Sequence, residues 1–314
     1  MVCLVIKSGG AAALPEWKAL FARLMPSLAV RDWNDPAVDP AHVDYALVWK
    51  PEPGRLAKMV NLKAILSAAV GVDHITCDPN WPKTVPLIRM GGELPAQQME
   101  DYVLWAVFSI LRDAPLWRTG QQEKVWTRQT GAARTSADMK VGVMGLGSLG
   151  APVATRLVRA GFQVSGWARH ARTLEGVTCY AGTKGLNRFL QGCDTLVCLL
   201  PETPETKGIV TYDVLAQLRK PAGLINVGRG PLVVEADLLR ALNDKTLHTA
   251  VLDVFEQEPL PASSPLWAHP RVLVTPHIAA EASRASRAEY VAQVIRALEQ
   301  GQDVQLRYDP ARGY

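Results

Sequence analysis

What this sequence most plainly lacks is a long apolar run. None of its 314 residues lies in a stretch of the length that spans a bilayer, so no membrane role is expected. Cysteine is scarce, with five residues, an odd count and no CxxC pair. That argues against a disulfide framework and a structural metal, and fits a reduced, cytoplasmic protein. Charge of one sign is also missing: 34 Lys and Arg stand against 30 Asp and Glu, a net charge of +4 without a concentrated basic block. A nucleic-acid surface is therefore not expected, whereas attraction for a small anion is. The opening "MVCLVIKSGG" has no basic region, apolar core and cleavage site in succession. It reads as a first strand, and secretion is not expected. There is no short internal repeat and no low-complexity tract.

What is present is globular composition, 48% apolar and 20% charged, in a chain long enough for two domains. Short β-branched runs alternate with helical patterns, the mark of parallel α/β architecture. The first part supplies strands in "VCLVIKS", "DYALVWK", "LKAILSAA" and "PLIRM", with a helix near "EWKALFARLM". A long helix is predicted from about Ala96 to Leu116, its apolar faces made by Tyr102, Trp105, Val107, Phe108 and Leu111. Residues 119–138 break the pattern and read as an extended arm. A second series begins at "KVGVMG" and continues through "FQVSGWA", "DTLVCLL", "AGLINVG", "TAVLDVF" and "RVLVTP". In a final helix over about 280–300, Val291, Val294, Ile295 and Leu298 share one face.

"VGVMGLGSLG" sets Gly145, Gly147 and Gly150 in G-x-G-x-x-G spacing between a strand and a helical pattern. The first glycine allows the turn, the second lets backbone approach a pyrophosphate, and the third allows helix to pack on strand. Alone the triplet could serve ordinary turns; in this context it predicts a dinucleotide site. The acid that binds an adenosine ribose is expected about 20 residues further on, at the end of the next strand. That strand ends in Ala168, followed by Arg169, His170 and Arg172. With no carboxylate to repel a 2′-phosphate and guanidinium groups to bind one, NADP(H) is favoured and NAD(H) remains possible. The alternative is that both arginines simply face water.

Three polar residues follow later strands: Arg229 in "LINVGRGPLV", Glu258 in "LDVFEQEPL" and His277 in "VTPHIAA". Singly each could be a turn arginine, a solvated glutamate or a capping histidine. Together, behind "GLGSLG" and with "LLPETPETKGIV", "SPLWAHPRV" and "TPHIAA", they resemble the D-isomer-specific 2-hydroxyacid dehydrogenases over nearly the whole chain. "DYALVW", "GVD" at 71–73, "QMEDY" at 98–102 and the terminal "ARGY" are similar to the bacterial glyoxylate/hydroxypyruvate reductases of the A type within that family.

The resemblance implies two Rossmann-like parallel-sheet α/β domains with the active site in a cleft between them. Residues 1–97 and 279–314 would form a flavodoxin-like substrate-binding domain, and 98–278 an inserted nucleotide-binding domain. It implies reduction of small 2-oxo acids: glyoxylate to glycolate and hydroxypyruvate to D-glycerate. His277 would be the general acid, Glu258 its carboxylate partner, and Arg229 the residue that polarises the carbonyl and holds the substrate carboxylate. Backbone amides near Gly71 and Val72 would share that carboxylate. Trp49 is read either as core or as a wall that limits substrate size. Implied cofactor contacts are Gly145, Leu146, Gly147, Ser148, Leu149, Gly150, Arg169, Arg172, Leu200, Pro201, Thr206, Val227, Asp253, His277 and Ala279. For Asp253 the choice is between the nicotinamide amide and a buried structural role. The long helix and arm would form a homodimer contact, with Trp126 a candidate to reach a partner subunit. No metal is expected, and His74, His248 and His269 are assigned no role, since no metal-ligand spacing involves them. Alternatives that share the fold are another D-2-hydroxyacid dehydrogenase, a phosphite dehydrogenase, or a nucleotide-sensing corepressor-like binding protein. A formate dehydrogenase fits less well, because formate oxidation needs no acid–base pair.

Overall fold

The structure, a computed structural model, describes residues 2–126, 134–311 and 313. Two compact units emerge, Met1–Leu94 with Ala282–Tyr314, and Pro95–Glu281. In the first, β1 (Cys3–Lys7), α1 (Leu14–Leu24), β2 (Ala29–Asp32), β3 (Tyr45–Val48), β4 (Ala64–Ser67), the single-turn α2 (Asp73–Thr76) and β5 (Leu87–Ile88) follow in sequence. Their five strands are parallel in the order β2-β1-β3-β4-β5, the flavodoxin-like arrangement.

Strand alternation explains how this sheet buries both faces. Leu4 and Ile6 of β1, with Tyr45 and Leu47 of β3, pack with Trp17 and Phe21 of α1. Val5, Ala46 and Val48 turn to the other side, against Trp33, Met59, Ile75 and Trp81.

The second unit holds α3 (Glu93–Leu111), which begins two residues before it, and α4 (Ala114–Glu123). Then come β6 (Lys140–Met144), α5 (Gly150–Arg159), β7 (Gln163–Ala168), β8 (Val177–Ala181), α6 (Gly182–Gln191), β9 (Thr195–Cys198), α7 (Tyr212–Ala216), β10 (Gly223–Asn226), α8 (Glu235–Asn243), β11 (Thr249–Leu252) and β12 (Val272–Val274). Seven parallel strands run β12-β11-β10-β9-β6-β7-β8. The chain reverses direction across the sheet between β6 and β9. This is the dinucleotide-binding strand order, with its switch point at those two strands. A closing helix, α9 (Arg284–Glu299), returns to the first unit and buries Val291, Val294 and Ile295 beside α1, with Leu298 partly buried.

Two elements differ from expectation. The helix predicted over 96–116 is two helices, broken at Asp113, whose φ of 52° is left-handed. Pro115 lacks the N–H needed to continue the ladder, and Asp113 tolerates the left-handed turn. The Asp113 carboxylate is buried and meets His248 Nε2 at 2.9 Å, which gives that histidine a structural partner. The supposed arm is helical as far as Glu123. Trp126 is 95% exposed, and residues 127–133, the rest of the central arm, lie outside the described residues. So do Arg312 and Tyr314 of the terminal "ARGY". Among the described residues, no helix is long and apolar enough to cross a membrane.

Candidate active site

The glycine turn follows β6, at the switch point. Gly145 has φ 109°, and a Cβ there would stand 2.7 Å from the Leu199 carbonyl oxygen. A Cβ on Gly150 would lie 1.7 Å from the Gly145 carbonyl oxygen, so only glycine lets α5 start so close to the strand. Gly147 has nothing within 4 Å of its would-be Cβ. The three positions thus satisfy the three separate demands of a pyrophosphate turn: a tight bend, open backbone and close packing. Leu146 is buried against Gly166, Leu149 is half-buried, and Ser148 is exposed beside Gly147.

The Gly145 N–H donates to the Trp167 carbonyl at 2.8 Å, tying this turn to the end of β7. Ala168 is the last residue of that strand, and Arg169, His170 and Arg172 follow, all exposed. A hydrogen bond from Thr203, aided by the Arg169 charge, lowers the Glu205 carboxyl below its ordinary range, so Arg169 acts on the loop after β9. In that loop the Thr206 hydroxyl donates to the Pro201 carbonyl at 2.6 Å and accepts the Thr203 N–H at 2.8 Å. Thr206 therefore shapes the loop that carries Leu200 and Pro201. Val227, just beyond β10, is buried, its N–H on the Cys198 carbonyl.

Arg229, Glu258 and His277 follow β10, β11 and β12, three neighbouring strands, and so share the carboxyl edge of one sheet. The turn bearing Arg229 is stapled by buried Asn226. Its side-chain amide donates to the Arg229 carbonyl at 3.1 Å, and its oxygen accepts the Gly228 N–H at 3.3 Å. Gly230 is required next, since a Cβ would fall 1.9 Å from the Phe255 backbone. This close approach fixes the Arg229 turn against the segment that leads to Glu258.

His277 Nδ1 stands 2.7 Å from Glu258 Oε2, and the Phe255 N–H donates to Glu258 Oε1 at 3.1 Å. Burial disfavours the Glu258 carboxylate. The hydrogen bonds from His277 and Phe255, with the charges of His277 and Arg229, outweigh it and hold the carboxyl below the usual range. With Nδ1–H given to Glu258, Nε2 is the ring atom at which a proton can be offered to a substrate oxygen.

His277 also has left-handed backbone, φ 57°, unusual for a residue with a side chain. Asp253 holds it there. Its carbonyl accepts the His277 N–H at 2.8 Å, Oδ1 accepts the Ile278 N–H and Oδ2 the Ala279 N–H, both at 2.9 Å. The Thr275 hydroxyl donates to Oδ1 at 2.6 Å, and Tyr102 Oη lies 2.5 Å from that hydroxyl. Asp253 is 1% exposed, and both its carboxylate oxygens are engaged in bracing this loop.

The remaining predicted residues belong to the first unit. Trp49 follows β3 and is 38% exposed, so it is not core. Gly71 and Val72 lie just beyond β4, with Val72 buried and its carbonyl accepting the Ile75 N–H at 2.8 Å. Sequence reasoning missed Asn226, Tyr102 and Thr275. For Asn226 a signal existed, an amide at the end of an otherwise apolar strand. The others depend on contacts between segments far apart in sequence. Among the described residues, no group of three His, Cys, Asp or Glu side chains could hold a metal ion.

The family described as D-isomer specific 2-hydroxyacid dehydrogenase, NAD binding domain, matches residues 104–279. A curated relative, glyoxylate/hydroxypyruvate reductase A of Klebsiella pneumoniae (strain 342), is 40% identical over 306 residues, 96% of each chain. A D-isomer specific 2-hydroxyacid dehydrogenase from Xanthobacter autotrophicus Py2, crystallised with NADPH and MES, is similar with a TM-score of 0.93 and 41% identity, over 100% of this chain and 99% of that one. The NADPH-dependent glyoxylate/hydroxypyruvate reductase of Sinorhizobium meliloti, in complex with NADP and sulfate, gives 0.91 and 35% over the whole of both chains. With a matched family covering more than half its length, and relatives alike from end to end, this chain belongs to the D-isomer specific 2-hydroxyacid dehydrogenases.

Proposed function

We propose that this chain is an NADPH-preferring reductase of small 2-oxo acids, converting glyoxylate to glycolate and hydroxypyruvate to D-glycerate. The observation that carries the reading is the His277–Glu258 pair at 2.7 Å, with the Arg229 charge acting on the same carboxylate. The glycine turn, where Gly145 and Gly150 admit no Cβ and Gly147 leaves the backbone open, fits a dinucleotide pyrophosphate. Arg169 and Arg172, without an acid at Ala168, suit a 2′-phosphate. NADPH, when bound, supplies the hydride. His277 holds a proton at Nε2 for the carbonyl oxygen, and Glu258 keeps the ring oriented and favours its charged form. Arg229 offers a planar, permanently charged fork to the substrate carboxylate and polarises the carbonyl. Backbone amides near Gly71 and Val72 share the carboxylate, and Trp49 limits the substituent at C2. Asp253 is better supported as the brace of the His277 loop than as a nicotinamide contact.

In this reading residues 1–97 with 279–314 bind substrate and 98–278 bind the nucleotide, in a cytoplasmic homodimer. Exposed Trp105, Phe108 and Trp117 on α3 and α4 support the dimer by offering apolar surface that a second copy would cover. The names of the relatives favour glyoxylate and hydroxypyruvate over other 2-oxo acids. A panel of 2-oxo acids with NADPH and with NADH, followed by loss of reduced-cofactor absorbance, tests the proposal. Best turnover of glyoxylate or hydroxypyruvate with NADPH is expected. Strong preference for phenylpyruvate would overturn the substrate assignment, and equal use of both cofactors the cofactor assignment.

A further inference from the structure

His74 sits in the single turn of α2 and is 7% exposed, yet both of its ring nitrogens have polar neighbours in other segments. Nδ1 accepts the Lys50 N–H at 3.1 Å, and Nε2 lies 3.1 Å from Ser67 Oγ. An amide N–H can only donate, so Nδ1 must carry the lone pair, and in the neutral ring the proton is on Nε2. Ser67 Oγ then accepts two hydrogen bonds, from Nε2–H and from the Ala69 N–H at 3.1 Å. Its single proton serves the Ala69 or Gly71 carbonyl, at 2.7 and 2.9 Å. Each donor and acceptor in this chain is used consistently with one tautomer.

The chain joins two backbone segments that are far apart in sequence. One is the turn after β3, where Lys50 adopts a left-handed φ of 48° and Trp49 packs its indole against the imidazole at a 47° tilt, centroids 4.3 Å apart. The other is the loop after β4, over 69–72. A histidine that merely filled space would not need polar partners on both of these segments. Packing alone would also not select Ser67 as the hub.

We propose that His74 and Ser67 are positioning residues for substrate affinity. In its Nε2–H form His74 locks the Trp49–Lys50 turn to the 69–72 loop, and so sets the geometry that receives the 2-oxo acid. The pair takes no part in proton transfer. This inference rests on the assignment of Trp49, Gly71 and Val72 to the substrate made above.

The test uses the full chain, steady-state kinetics with glyoxylate and NADPH, and hydrogen exchange at the amides of Lys50 and Ala69. His74→Phe keeps a ring of similar size against Trp49 but has neither the acceptor for Lys50 nor the donor for Ser67. It should raise the glyoxylate KM about tenfold or more, since one lost buried hydrogen bond is already on that scale and two are lost. The NADPH KM should not move, kcat should change much less than the glyoxylate KM, and the Lys50 amide should lose protection. His74→Asn puts an acceptor near the Nδ1 position and should recover most of the affinity and of the Lys50 protection. Ser67→Ala should raise KM, and combining it with His74→Phe should cost less than the product of the two effects, because both cut one network. An unchanged glyoxylate KM in His74→Phe overturns the inference. So does His74→Asn matching His74→Phe in KM, or strict additivity with Ser67→Ala. Those outcomes, with an active unaltered protein, leave the functional reading standing. An unaltered protein that reduces no 2-oxo acid overturns that reading, and this inference with it.

Discussion

The two parallel sheets of this protein present different things at their carboxyl edges. In the second unit the edge offers charge: Arg229, a Glu258 carboxylate held ionised, and His277. The loop bearing His277 is braced by a buried carboxylate, Asp253, with donors on both oxygens. In the first unit the edge presents the Trp49 indole and the 69–72 loop, tied together by His74 and the Ser67 hydroxyl. Under the proposed function the contrast follows from what each would do. A group that transfers a proton must keep its orientation as charge develops, and charge-assisted hydrogen bonds are about twice as strong as neutral ones. A loop that only receives a carboxylate can be held by neutral bonds, which spare the desolvation of a buried ion.

The sharpest break in that comparison comes from His277→Ala. Its kcat should fall ~10²–10⁴-fold, the typical share of a positioned acid, while the dissociation constant for NADPH, read by fluorescence titration, stays put. Unchanged turnover would remove His277 from the chemistry. Arg229→Ala should follow, with kcat/KM for glyoxylate down ~10²–10³-fold. Arg229→Lys should recover only part, because a point charge lacks the fork. Full recovery would mean that charge alone matters at this position.

Arg169→Ala should raise the NADPH KM about tenfold or more and leave NADH nearly unaffected, since each charge-assisted contact is worth roughly 1.5–3 kcal/mol. The loss should shrink in high salt, as exposed charges are screened. An equal effect on both cofactors would place Arg169 away from the 2′-phosphate. Asp253→Asn replaces an acceptor oxygen in the brace with a donor facing an N–H. Thermal unfolding should register a loss of about 1.5–3 kcal/mol, the scale of a hydrogen bond to a charged group. A stability unchanged from the parent would show that the left-handed His277 turn holds itself.

The smallest effect concerns pH. The folded Glu258 carboxyl titrates below its ordinary value, so its contribution to stability is fully present above that ordinary value. It is lost as pH falls through the lower, folded one. Glu258→Gln should therefore flatten the dependence of Tm on pH in the acid range. An identical slope in both proteins would mean that the pair adds no pH-linked stability.

Much of this was legible in the residues. The glycine spacing, the basic tip after Ala168 and the strands carrying Arg229, Glu258 and His277 are local patterns, and local patterns survive in one dimension. The two strands that escaped notice, β2 and β8, are both sheet edges, and β8 has no fully buried residue. Edge strands carry less of the apolar signal by which strands are recognised. The break at Asp113 was hidden because a left-handed residue has no hydrophobic signature. It is stabilised by His248, a residue far along the chain.

By itself the sequence determined the class of fold and the nucleotide turn, and it singled out the candidate acid, its candidate partner and the guanidinium. Each of these rests on residue type and short spacing. Only the tertiary structure decided that the glycine turn falls at the switch point between β6 and β9, because strand order is set by packing across the sheet. It alone also made Asp253 the brace of a strained histidine, and joined His74 to Ser67 and Lys50. A hydrogen bond needs its two atoms about 3 Å apart. Folding, not adjacency in sequence, brings such atoms together.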